Sequence, residues 1–124
     1  MAYIYYNPNP VRKIVGDCVI RAICKLTNKD WRTIFLDVCS EGMQMYDMPS
    51  SNAVWGNYLT KIGFRRHAIR SDCYECYTVS EFCIDYPSGK YLLATGTHAV
   101  AVVDGNYYDT WDSGNENPIY YWTE

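Results

Sequence analysis

The chain has 124 residues, of which 48% are apolar and 20% charged, with 11 Lys and Arg against 14 Asp and Glu for a net charge of −3. That composition excludes an intrinsically disordered chain, and the length suits one domain, residues 1–124, with a core of its own. The acidic balance speaks against nucleic acid as a partner, because neutralising phosphates takes a basic face.

The start, Met1 to Pro8, has neither the basic nor the apolar region of a signal peptide. No stretch reaches the ~18 apolar residues of a membrane span. A cytoplasmic protein without a membrane partner is expected, and its six cysteines are then read as thiols rather than disulfides. Neither a repeat nor a linker divides the chain. Residues 1–16 read as an extended arm with a Pro-rich turn at Asn7-Pro8-Asn9-Pro10. Asp17 can cap a first helix carrying Val19, Ile20, Ile23, Cys24 and Leu26 at helical spacing. A second helix from about Asp30 places Trp31, Ile34, Phe35, Val38 and Cys39 on one face, with Gly42 near its end. A third follows Pro49-Ser50-Ser51-Asn52 with Val54, Trp55, Tyr58, Leu59 and Ile62, and Gly63 closes it.

The second half changes period. A short strand is expected over Phe64–Arg70. Thr78-Val79-Ser80-Glu81 has the form of a capping box and opens a short helix to about Tyr86. Strands follow at Tyr91–Thr95, His98–Val103, Tyr107–Trp111 and Ile119–Trp122, with Asp104-Gly105 as a hairpin turn. Helices first and antiparallel strands afterwards make the class α+β.

Chemistry concentrates in few residues. Cys18 stands at the first turn of a helix, where the dipole and free N–H groups favour a thiolate, and its own amide could serve an oxyanion. A buried small residue is the plain alternative for this position, and it is the reading kept for Cys24 and Cys39. Only two histidines exist. His98 begins a strand among small and apolar neighbours, which suits a positioned general base. His67 lies among Arg65, Arg66 and Arg70, a setting that disfavours imidazolium and suits a surface role. A base needs an orienting partner. With a two-residue turn at Asp104-Gly105, Val103 pairs with Asn106 and Asp109 is a diagonal neighbour of His98. With a three-residue turn, His98 faces Asp112 instead.

The order of Cys at a helix start, His on a distant strand and acid on the next strand is the papain-like one. Asp109-Thr110-Trp111 resembles the Asn-Ser-Trp segment of papain-type enzymes. The chain as a whole resembles a family of small papain-like cysteine peptidase-like proteins of bacteriophages and Gram-positive bacteria. The likeness rests on Asn9-Pro10, the run from Gly16 to Ala22, the run from His98 to Gly105, the run from Tyr108 to Asp112, and Tyr121-Trp122.

The resemblance implies a papain-like fold and a thiol hydrolase acting on a peptide or isopeptide bond of a protein or peptide substrate. Its triad would be Cys18, His98 and Asp109, with Trp111 shielding the histidine and Asp112 as the alternative acid. For a phage protein the compartment would be the host cytoplasm. Papain-type enzymes carry a Gln before the Cys; here position 12 is Arg12 and the only Gln is Gln44. A side-chain amide from Asn9, or from Asn7, would take the oxyanion role. Two other classes stay open, a non-catalytic factor that binds and inhibits a host protein on the same fold, and an acyl transferase. Cys73-Tyr74-Glu75-Cys76 is a lone CxxC with only Cys83 and His67 near it, so neither metal nor cofactor is expected. The tyrosines are mostly explained by strand propensity, with a groove or interface as the other use. Lys61–Arg70 holds four of the eleven basic residues, a solvated face or a contact for an acidic partner.

Overall fold

A computed structural model describes residues 2–69 and 76–124. Those residues contain six strands and four helices. In chain order they are β1 (Ala2–Tyr5), α1 (Cys18–Thr27), α2 (Trp31–Met45), α3 (Asn52–Lys61), β2 (Arg65–Ala68), α4 (Val79–Asp85), β3 (Lys90–Ala94), β4 (Ala99–Val103), β5 (Asn106–Asp109) and β6 (Tyr120–Thr123).

The strands form one sheet in the order β1-β5-β4-β3-β6-β2. The class is α+β, as expected, but the sheet is mixed and is not confined to the C-terminal half. The N-terminal arm is itself the edge strand β1, parallel to β5 with Tyr5 opposite Asp109. The remaining pairs are antiparallel.

Both faces of the central strands are covered, which explains their nearly unbroken apolar runs. Leu92, Ala94, Ala99 and Ala101 join the side chains of α1, α2 and α3 in one core. Leu93, Val100 and Val102 join Val79, Phe82 and Cys83 of α4 in another. Alternation along each strand sends successive residues to opposite faces. The face beneath α1 is built from small residues, Ala94, Ala99 and Ala101, all almost fully buried. Small side chains let α1 lie close to β4, and that closeness carries the start of α1 to the start of β4.

Two of the four helix starts are capped by a side chain. Asp30 accepts from the Thr33 N–H at 2.9 Å, and Thr78 from the Glu81 N–H at 3.2 Å. Asp17 does not cap α1; no side chain does. Gly63 follows α3 with φ +105°, a left-handed conformation that suits glycine. Helix α2 runs past Gly42 to Met45. A Cβ at Gly42 would lie 2.7 Å from the Asp47 carbonyl oxygen, so the missing side chain lets the chain fold back and bring Met48 and Pro49 over α2.

Position 104 has φ 50° and position 105 φ 77°, a two-residue turn with both central residues left-handed. Val103 accordingly pairs with Asn106. This is the register that places Asp109, not Asp112, diagonal to His98.

Candidate active site

Cys18 is the first residue of α1 and is half-buried. His98 ends the connection between β3 and β4, one residue before β4 rather than within it. The Thr95 hydroxyl oxygen accepts from the His98 N–H at 2.9 Å and from the Thr97 N–H at 3.1 Å, and the Thr95 N–H donates to the His98 carbonyl at 2.8 Å. One threonine thus closes the turn that presents the imidazole. Asp109 is the last residue of β5 and has no exposed surface.

His98 Nε2 lies 2.7 Å from Asp109 Oδ2. With Nε2 occupied, Nδ1 is the ring nitrogen left for the thiol, and Cys18 and His98 both line the same cleft, close enough for each to shift the other's protonation. The Trp111 indole stands 4.9 Å from the imidazole, centroid to centroid, and is 45% exposed, so it covers the histidine from the solvent side. Asp112 is elsewhere. Its carboxylate accepts from the Tyr107 hydroxyl at 2.5 Å and the Gly114 N–H at 3.1 Å.

The protonation pattern follows from these contacts. Burial opposes the Cys18 thiolate. Hydrogen bonds from His98 and from the Ala99 N–H, with the positive charge of His98 and Arg21 nearby, outweigh that cost and hold the thiol below its ordinary value. Burial likewise opposes the imidazolium, but hydrogen bonds to Asp109 and Cys18 and their charges raise His98 to about 9. Asp109 is pulled below the carboxylate range despite its burial, through His98 and Ser113. The arrangement favours a thiolate–imidazolium pair.

Beyond its bond to His98, Asp109 is held on all sides. Its Oδ2 also accepts from the Ser113 hydroxyl at 2.6 Å. Its Oδ1 accepts from the Thr110 N–H and from Arg21 Nη2, both at 2.8 Å. Arg21 is 3% exposed, and its Nη1 donates to Asp17 Oδ1 at 2.6 Å. Asp17 Oδ2 accepts from Trp31 Nε1 at 2.8 Å. Residue-by-residue reading of the sequence missed Arg21, Ser113 and Thr95. The one signal for Arg21 was its position four residues after Asp17 at a helix start.

A cleft of about 600 Å³ opens in front of Cys18 and His98. Its walls are Trp31, Phe35 and Cys39 of α2, Met48 and Pro49 of the following loop, Trp55 of α3 and the Gly96-Thr97 turn. Phe35 and Cys39, expected in the core, look into this cleft instead. Among the described residues no lysine, arginine, glutamate or tyrosine lines it, and Asp17, which does, has its carboxylate turned to Arg21 and Trp31. The tyrosines mostly pack elsewhere. Tyr86, Tyr91 and Tyr121 stack around Phe82 on the α4 side, and Lys25 sits over the Tyr108 ring.

Asn9 does not line the cleft. It is buried in the arm, where its Oδ1 accepts from the Val11 N–H at 3.0 Å and the Lys13 N–H at 3.2 Å. Asn7 is used in the same loop, accepting from the Asn9 N–H. Asn9 thus stands apart from the residues that line the cleft. What faces the cleft is the start of α1, left uncapped because the Asp17 carboxylate is turned to Arg21 and Trp31.

The other candidates lie apart. His67 is exposed on β2 and stacks on Tyr121 at 5.0 Å. Lys61 pairs with Glu41 at 2.9 Å. Cys76 is disulfide-bonded, which corrects the expectation of thiols throughout; Cys73 and Arg70 lie outside the described residues. Among the described residues no three His, Cys, Asp or Glu side chains converge as metal ligands, and no helix is long and apolar enough to cross a membrane. No family model, curated protein or solved structure matches the chain.

Proposed function

We propose that this protein is a papain-like thiol hydrolase that cleaves a peptide or isopeptide bond through an acyl thioester on Cys18. The observation that carries the reading is a helix-start thiol and His98 facing one cleft, with the imidazole held at 2.7 Å by a fully buried carboxylate. A structural cysteine needs no such neighbours. The cleft in front of it can seat an uncharged segment of substrate.

In this mechanism the Cys18 thiolate attacks the carbonyl carbon and a C–S bond forms. The oxyanion is met by the Cys18 N–H at the uncapped start of α1. The C–N bond breaks as the His98 imidazolium gives its proton to the leaving amine. His98, now neutral, takes a proton from water, whose oxygen attacks the thioester. The C–S bond breaks, the acid is released and the thiolate–imidazolium pair is restored. Asp109 keeps its charge throughout and holds the imidazole in place.

The test begins without a substrate. Iodoacetamide at pH 6, with labelled thiols mapped by mass spectrometry, should modify Cys18 well ahead of Cys39 and the buried Cys24 and Cys83. Alkylation of all these thiols at one rate would sink the hydrolase reading and favour a binding factor. Once a peptide substrate is found, Cys18→Ala and His98→Ala should each remove nearly all turnover, because a triad acts as a unit.

A further inference from the structure

Arg21 is a cation with almost no exposed surface, set between two buried carboxylates. Its two terminal nitrogens are divided between them, Nη1 to Asp17 and Nη2 to Asp109. Five charges therefore alternate through the site: Cys18, His98, Asp109, Arg21 and Asp17. The groups facing His98 are Cys18 at the start of α1, Asp109 at the end of β5 and the uncharged Trp111 ring. A bridge made only for cohesion could join α1 to β5 anywhere. This one ends on the oxygen of Asp109 opposite to the one that holds His98.

We infer that Arg21 is a positioning residue of this site, which clamps Oδ1 of Asp109 so that Oδ2 is fixed on His98, and which Asp17 and Trp31 hold in turn. The inference rests on the function proposed above. Rotation of the Asp109 carboxylate would need both oxygens to leave their partners at once, since Oδ1 is held by Arg21 and Thr110 and Oδ2 by His98 and Ser113. The planar, forked guanidinium can reach both carboxylates simultaneously, whereas an ammonium is a point charge. Trp31 also forms part of the cleft wall, so the anchor of the clamp and the seat of the substrate share a side chain.

The chain has two histidines, and exposed His67 is an internal reference for a ring-proton NMR titration of His98. Arg21 as a mere nearby positive charge would depress the imidazolium, so its removal would raise the His98 titration. Arg21 as a clamp has the opposite sign: without it Asp109 leaves His98. In Arg21→Met the His98 titration should fall by about one pH unit or more, with His67 unchanged, and Cys18 alkylation at pH 6 should slow by roughly tenfold. Arg21→Lys keeps the charge without the fork and should lie between the two proteins. It also serves should the methionine variant fail to fold. A His98 titration that rises or stays in Arg21→Met, or an Arg21→Lys protein identical to wild type, overturns the inference. Unselective alkylation of wild-type Cys18 would instead remove the hydrolase reading, and the His98 titration would still decide the role of Arg21.

Discussion

At the scale of single residues the site depends on charge held away from water. Asp109 has no exposed surface and yet stays ionised because every lone-pair direction is met by a donor. Asp109→Asn keeps the shape and removes the charge. His98 then loses the partner that raises it, and its titration should drop from about 9 to the ordinary histidine range or lower, as NMR would read. Cys18 alkylation at pH 6 should slow at least about tenfold in the same variant, since a thiolate needs its imidazolium. Ser113→Ala removes one of four donors and should cost about 1 kcal/mol of stability in a urea titration. None of these partners was legible as a set. Asp109 and Trp111 could be found because they stand in a recognisable run after the hairpin. Ser113 and Thr95 could not, because a serine or threonine in a turn has many ordinary uses and only its neighbours in space reveal its role.

At the scale of elements, two local features set the geometry. The first is the hairpin turn, whose two left-handed residues fix the pairing of Val103 with Asn106. Gly105→Ala places a Cβ at φ +77° and should destabilise the protein by about 1 kcal/mol. The second is the row of alanines under α1. Ala101 is fully buried between α1 and the sheet. Ala101→Leu overpacks that seam and should cost about 1–3 kcal/mol in thermal or urea unfolding. It should also separate Cys18 from His98, so the selectivity of Cys18 for iodoacetamide at pH 6 should fall with stability. The helices, and the hairpin that follows them, were legible from periodicity and turn chemistry. The parallel pairing of β1 was not, because a four-residue strand far from its partner carries no local mark of it. The faces of Phe35 and Cys39 were misread because helical spacing shows an apolar stripe but not whether another element covers it.

At the scale of the whole molecule, the site ties protonation to folding. His98 is raised in the folded state, so alone it stabilises fully below pH 6.5 and that contribution is lost as pH rises toward about 9. Cys18 is lowered from 9.0, so its contribution grows over pH values below its ordinary one. The two slopes oppose each other, so wild-type stability should fall less between pH 6.5 and 9 than the His98 contribution alone would make it fall. Cys18→Ala removes one slope, and its stability should then fall across that window by on the order of 1 kcal/mol, measured by urea denaturation at both ends. Activity should follow another course. It should appear as the Cys18 thiolate forms and decline as pH rises through about 9, where His98 loses the proton that the leaving amine needs.

The sequence by itself determined the class of chain, the helices and their order, the turn that sets the hairpin register, and the short list of residues able to do thiol chemistry. These are matters of composition, period and backbone preference, which act over a few residues and are written locally. Tertiary structure alone decided that Cys18 and His98 share one cleft, that the Asp109 carboxylate reaches the imidazole, that the Asn9 side chain bonds within the arm, and that Arg21 joins Asp109 to α1. Those outcomes depend on how closely α1 lies on β4 and on how many donors converge on one buried carboxylate. Both are properties of packing between segments up to 88 residues apart, for which no stretch of sequence carries a local signal.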